Sequence, residues 1–321
     1  MCVFLFSQLD VLFKYNTMKT TLLIDGGLGR VITAIPALEK YVERNPDTYI
    51  ITYFWTPILW GNKKLRNNIF DSSTKGNFDK IKTTKILKPE PYFNNDYLHG
   101  KISLADAWNQ EINGDKETMG IPKLYVSQSD LNKVSALKKT YYSKIIAFQP
   151  FGSTAQIVDN KVIDTTLRSL NEKTTKEIVK RLKKENYGIF LITDKQIPFL
   201  NASDFIQYNA SDIRELAAAI SLCDYFVGID SSGQHIARSL NIPGSVIMGG
   251  TNSTNISYPD YFHMINDNPN KTYMPYRIAE FDWYLSEIEN DKVLDFSDTE
   301  IKQMCNDIVK NIKKSKTHRS E

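Results

Sequence analysis

The chain has 321 residues, 41% hydrophobic and 24% charged, with a formal net charge of +3. This is the balance of a soluble globular protein, and the length predicts about two domains. The charge is too small to announce a nucleic-acid partner, although a pI of about 8.5 allows a polyanionic one.

Cys2, Cys223 and Cys305 are far apart, have no metal-ligand spacing and read as free thiols in a reducing, cytoplasmic compartment. Residues 1–17 are apolar but interrupted by Asp10 and Lys14. They are too short to span a bilayer, which takes roughly 20 apolar residues. They also lack the basic start and small-residue cleavage site of a secretory signal. Met18 is the expected natural start, with a membrane-touching or packing segment as the alternative for what precedes it.

Thr21–Ile24 is predicted as a buried strand, followed by the glycine loop Asp25-Gly26-Gly27-Leu28-Gly29-Arg30. A helix is expected over Val31–Tyr41, with Pro36 near its first turn. Strand, glycine turn and helix make half of a βαβ unit. The loop departs from a dinucleotide fingerprint: Ile32 stands where the third glycine belongs, and Tyr49–Phe54, the next strand, runs into Trp55 and Pro57. The glycines instead let a substrate approach the backbone. Residues 62–95 are polar and lysine-rich, with one or two short strands. Amphipathic helices are expected over His99–Ile112 and from Ser129 to Lys139.

From Ser143 a second alternation begins. Strands are predicted over Lys144–Gln149, Gly188–Thr193, Phe205–Tyr208, Asp224–Val227 and Ser245–Met248. Helices are predicted over Asn171–Asn186, from Ser211 as N-cap, over Gln234–Leu240 and over Asp298–Lys314, the last running into a basic tail. Residues 266–297 read as irregular and aromatic. The fold class is therefore α/β with parallel sheets. Asp230, Ser231, Ser232 and Gly233 stand where a strand hands over to a helix, the place where open parallel sheets bind ligands on exposed N–H groups. Gly249–Thr254 forms a second polar loop after the next strand. The two loops together predict a pocket for a polar, phosphorylated ligand.

Several segments, in order, resemble the heptosyltransferase-like glycosyltransferases of family 9. Leu28–Leu38 resembles their first loop and helix, and Gln149-Pro150-Phe151-Gly152-Ser153 their phosphate loop. Val227–Ala237 resembles their Gly-x-Asp-Ser/Thr-Gly-x-x-His-x-Ala signature, and Met248–Thr251 stands at their Phe-Gly-Pro-Thr loop. His99–Trp108 and Pro122–Leu124 resemble connecting segments. The likeness runs patchily from about Met18 to Pro259, and the Asp-Ser-Ser-Gly-Gln-His block is its most specific part.

The resemblance implies a GT-B fold, two Rossmann-like domains facing a cleft. It assigns 1–17 to an extension, 18–142 to an acceptor-side domain, 143–297 to a nucleotide-sugar domain and 298–321 to a C-terminal helix and tail. It implies inverting, metal-independent transfer with no cofactor beyond the nucleotide-sugar donor, and no Asp-x-Asp metal motif occurs. The acceptor it implies is a lipopolysaccharide-type or lipid-linked glycan, reached from the cytoplasm or at the membrane surface. Lysines at 62–90 would also suit DNA with hydroxymethylated bases. A non-catalytic nucleotide-sugar-binding protein is the other alternative.

Family members commonly carry a catalytic Asp where this chain has Arg30, and a guanidinium cannot deprotonate a hydroxyl. Asp25 is the expected substitute base, ahead of His99 and Asp106, with Arg30 binding an anion or pairing with Asp25. Gly26, Gly27 and Gly29 complete the acceptor side. On the donor side Ser153, Thr154 and Arg168 are expected at phosphate, with Lys161 a weaker candidate than Arg168. Asp230 is expected at sugar hydroxyls, against a simple helix N-cap. Ser231, Ser232 and Gly233 are expected to offer N–H groups, and Thr251 and Asn252 phosphate or sugar contacts. His235 would touch ligand or hold its loop together.

Overall fold

The computed structural model describes residues 19–71, 74–139, 142–164, 166–206, 208, 210–267 and 293–315. The extension at 1–17, most of the aromatic stretch at 266–297 and the end of the basic tail lie outside these residues.

The N-terminal half runs β1 (Thr20–Ile24), α1 (Leu28–Arg44), β2 (Thr48–Thr52), α2 (Thr56–Leu59), α3 (Asn77–Ile81), β3 (Lys85–Leu87), α4 (Asn95–Leu98), α5 (Leu104–Asn113) and α6 (Gln128–Lys133). Its strands form a parallel sheet in the order β2-β1-β3. The C-terminal half runs β4 (Ile145–Gln149), β5 (Gln156–Val158), β6 (Lys161–Ile163), α7 (Glu172–Lys184), β7 (Gly188–Leu191), α8 (Ile213–Ser221), β8 (Tyr225–Ile229), α9 (Ser232–Ser239), β9 (Gly244–Ile247), α10 (Ser253–Ile256), β10 (His263–Ile265) and α11 (Asp298–Lys314). Its main sheet is parallel in the order β10-β9-β8-β4-β7, and β5 and β6 form a separate hairpin. Both sheets are mostly apolar runs because helices cover them, as a parallel sheet requires.

One hydrophobic core runs from Leu22 and Ile35 through Trp108 to Ala147, Ile236 and Phe262, so the two halves pack against each other. A second core lies under α7 and α11, built from Phe148, Ile178, Ile189 and Ile308. Two polar clasps cross between the halves. Asn255, almost fully buried, donates to the carbonyls of Tyr97 at 2.8 Å and Ile102 at 3.1 Å. Arg214 on α8 pairs with Asp130 and donates to the carbonyls of Trp60 at 2.7 Å and Tyr125 at 3.0 Å.

Several local expectations change. Helix α1 begins at Leu28, so Pro36 sits mid-helix rather than near the first turn; the helix starts as soon as Gly27 supplies an extended N-cap. The expected helix from His99 begins at Leu104, where the Ser103 side chain accepts from the Asp106 N–H. The helix expected to reach Lys139 stops at Lys133 and continues as a short 3-10 turn. Asp212, not Ser211, is the N-cap of α8, accepting from the N–H groups of Arg214 and Glu215, while Ser211 bonds Glu215. The described residues of the expected strand Phe205–Tyr208 form none; the Ile206 N–H donates to the Ile189 carbonyl on β7. Helix α9 starts two residues earlier than expected, at Ser232. The expected helix Asp298–Lys314 matches α11 to the residue, held by a Ser297–Glu300 capping box.

Candidate active site

The N-termini of α1 and α9 open on one cleft of about 690 Å³ between the halves. Neither helix is capped by its own N-cap side chain, although the Gly233 N–H in the first turn of α9 is taken by Gln149 Oε1. Their first-turn N–H groups and dipoles therefore favour an anion in that cleft. Gly27, Gly29, Arg30, Ser153, Arg168, Asp230, Ser231, Ser232 and His235 all stand on its wall. Asp25, Gly26, His99, Asp106, Thr154, Gly233, Thr251 and Asn252 do not.

The residues off the wall are engaged elsewhere. His99 Nδ1 is 2.6 Å from the Asn95 carbonyl. Asp106 accepts from the Met119 N–H at 2.6 Å and from Ser103 at 2.8 Å. Thr154 donates to Asp164 at 2.9 Å. The Asn252 side chain caps α10 by accepting from the Thr254 N–H. The Gly233 N–H, expected to face a ligand, donates instead to Gln149 Oε1 at 2.9 Å. Lys161 lies exposed on β6, away from the wall.

Asp230 organises the loops that follow β8 and β9. Its Oδ1 accepts from Gln234 at 2.7 Å, its Oδ2 from Thr251 at 2.6 Å, and its carbonyl from Arg168 Nη1 at 2.8 Å. Thr251 thus acts through Asp230. The Arg168 guanidinium, buried beneath the loop after β4, also donates from Nε to Thr166 at 3.0 Å. Burial pushes the neighbouring Asp164 carboxyl up. Hydrogen bonds from Ser169 and Thr166 and the Arg168 charge outweigh that and leave it below its ordinary range. Gly249 lies so close to the Leu167 carbonyl that no side chain fits there.

On the opposite wall Arg30 is nearly buried. Its guanidinium stands 3.3 Å from Asp25 and 3.0 Å from Glu90, and lies over the rings of Tyr92 and Trp108 at 4.5 and 5.2 Å. The second oxygen of Asp25 is 2.6 Å from Lys88 Nζ. The expected pairing of Arg30 with Asp25 is therefore present, and Glu90 and Lys88 extend it. Trp55 joins the wall and fixes the glycine loop by donating from its indole to the Gly26 carbonyl at 2.9 Å.

His235 joins the halves. A side-chain carbon on Gly29 would stand 2.7 Å from His235 Cδ2, so α1 and α9 approach closely only because residue 29 is glycine. His235 Nδ1 lies 2.9 Å from the Tyr258 hydroxyl. Burial, and secondarily the Arg168 charge, push the imidazole down to about 3. It is neutral at pH 7. The unfolded histidine gains its proton near pH 6.5 while the folded one stays neutral, so stability is full above that pH and falls as pH drops below it. His235→Gln is expected to flatten that fall between about pH 6.5 and 5 by up to about 1.4 kcal/mol per pH unit. Urea unfolding at each pH checks it. An unchanged slope would assign the fall to His263, which burial also pushes down.

Gln149, Glu90, Lys88, Tyr92 and Lys195 are site residues the sequence did not single out. Gln149 alone had a signal, as the last residue of a strand in the phosphate-loop motif. Among the described residues no group of three or more His, Cys, Asp and Glu could hold a metal ion.

No family model matches the sequence, and no curated protein does either. Solved structures do match. The family 9 glycosyltransferase of Veillonella parvula DSM 2008 is 13% identical, with a TM-score of 0.54 over 89% of this chain and 98% of that one. The ADP-heptose lps heptosyltransferase II of E. coli is 12% identical, with a TM-score of 0.53 over 90% and 99%. TibC, a dodecameric iron-containing heptosyltransferase, was solved with ADP-D-beta-D-heptose; it is 11% identical, with a TM-score of 0.61 over 92% of this chain and 76% of that one. Two parallel α/β halves meeting at a shared cleft are thus the GT-B fold, and in fold this chain is similar to the family 9 glycosyltransferases.

Proposed function

We propose that the protein moves a sugar from a nucleoside-diphosphate sugar to a hydroxyl acceptor, with inversion and without a metal ion. Residues 143–297 hold the donor and residues 18–142 the acceptor. The observation that carries this reading is the convergence on one cleft of Arg168 and two helix N-termini, neither capped by its own N-cap side chain. Its volume lies within the roughly 300–1,000 Å³ of small-molecule sites. Asp230, on the cleft wall, meets the sugar hydroxyls in this reading. Asp25 is the base in this reading. The acceptor oxygen bonds the anomeric carbon, its proton passes to Asp25, and the bond to the diphosphate oxygen breaks with its electron pair.

TibC's complex makes ADP-heptose the first donor to try, and the E. coli neighbour makes a lipopolysaccharide glycan the first acceptor. No described helix is long and apolar enough to cross a membrane. Buried free thiols at Cys223 and Cys305 support a cytoplasmic setting.

A thermal-shift screen of nucleoside diphosphates and their sugars tests the reading. A ligand at 100-fold its Kd stabilises the native state by about 2.7 kcal/mol. One nucleotide series is expected to raise Tm, and a flat screen would discard the reading. A second reading, a non-catalytic nucleotide-sugar-binding protein, is favoured by one observation: both Asp25 oxygens face cations. Product formed on any hydroxyl acceptor by the wild type, and lost in Asp25→Asn, decides for catalysis. Loss in Glu90→Gln instead would move the base to Glu90.

A further inference from the structure

Among the described residues the cleft wall carries three cationic side chains, Arg30, Arg168 and Lys195. Arg30 lies between Asp25 and Glu90. Arg168 is hydrogen-bonded to Thr166 and to the Asp230 carbonyl, and its charge acts on the Asp164 carboxylate. Beside this one guanidinium the same wall carries the carboxylates of Asp194, Asp212 and Asp230. A diphosphate entering there meets a net negative surround unless another cation is supplied.

Lys195 is placed to supply it. It follows β7, and its Nζ reaches across to the loop after β4, donating to the Ser153 carbonyl at 3.1 Å. Among the described residues its ionic partner is Asp194, at 3.0 Å, and that carboxylate is 73% exposed. Such a pair is screened by water and exchanges readily. An ammonium has three N–H groups, so Lys195 can keep the Ser153 carbonyl and turn the others to a phosphate oxygen. We infer that Lys195 is a phosphate-binding residue of the donor site. It anchors the phosphate loop and neutralises charge on the departing nucleoside diphosphate as the anomeric C–O bond breaks. This inference rests on the glycosyltransferase reading above.

The test is calorimetric titration of ADP, GDP, UDP and CDP, each beside its own nucleoside, into wild type, Lys195→Met, Lys195→Arg and Asp194→Asn. For whichever diphosphate the wild type binds, Lys195→Met is expected to weaken binding by about tenfold or more, as loss of a charge-assisted hydrogen bond does. The matching nucleoside should bind Lys195→Met as it binds wild type. Lys195→Arg should retain most of the affinity, and Asp194→Asn, which frees the ammonium, should bind the diphosphate at least as tightly as wild type. Equal losses for diphosphate and nucleoside, or no loss for either, would overturn the assignment while leaving the donor reading intact. A wild type that binds none of the four diphosphates overturns both. Melting curves of the variants separate a folding defect from lost affinity; a Lys195→Met protein that melts early while Lys195→Arg binds normally still supports a charge role.

Discussion

Asp230→Asn is expected to keep the fold and lose transfer. Asparagine has the shape of the carboxylate. Its oxygen can accept from Gln234, whose orientation is fixed because Gln234 also donates to the Ile256 carbonyl and accepts from Ser257. Its NH₂ then faces Thr251, whose hydroxyl can rotate to accept. Stability should therefore change by no more than about 1–2 kcal/mol, the scale of one altered hydrogen bond. The charge is gone, however, and each charged hydrogen bond to a sugar hydroxyl contributes about 1.5–3 kcal/mol, or roughly 10–100-fold in kcat/KM. Asp230→Ala is the contrast. It leaves Thr251 Oγ1 and Gln234 Nε2 buried without their acceptor, at a cost of about 1–3 kcal/mol each. Urea unfolding and donor titration of both variants separate the two roles. An Asp230→Asn enzyme with wild-type turnover would reduce Asp230 to an organiser of its loops.

The two variants also mark what the sequence could and could not yield. The strand–loop–helix at Tyr225–Ser239 was legible because a buried parallel strand is a continuous apolar run and the polar residues interrupt it abruptly. Helix α11 was legible because its capping box and apolar stripe agree. The N-cap of α8 was misplaced by one residue because Ser211 and Asp212 can both cap, and the choice falls to Asp212 once Ser211 bonds Glu215. Register was the hidden quantity. Leu22 pairs with Leu87 between β1 and β3, so the same offset sets Asp25 level with Glu90, across a lysine-rich segment with little periodicity. Likewise Gln149 pairs with Gly228 between β4 and β8, which brings its amide to Gly233. Glu90, 60 residues after Arg30, cannot be matched to it until the strands are aligned. That is why the expected partners of Arg30 included Asp25 but not Glu90.

Arg30→Met should therefore be the most destabilising change on the acceptor wall. Methionine approximates the length and apolar stem of arginine, so the packing against Tyr92 and Trp108 is largely kept. What is lost is the charge between Asp25 and Glu90, whose side chains are 18% and 29% exposed. Removing one partner from a buried ion pair costs about 3–5 kcal/mol. Partial exposure places this site at the lower end, about 2–3 kcal/mol once water screens the remaining pair. Lys88 still holds one oxygen of Asp25, so Glu90 is the group left without its cation. Two further variants locate the effect. Arg30→Met with Glu90→Gln should recover most of the loss, because the like-charge pair is removed with the cation. Arg30→Lys should recover only part, since an ammonium lacks the planar cation that Arg30 sets over the rings of Tyr92 and Trp108. Urea denaturation of the three proteins decides it. A loss below about 1 kcal/mol in Arg30→Met, the range of exposed ion pairs, would mean that water already screens the cluster and that Arg30 is free to meet an anionic acceptor.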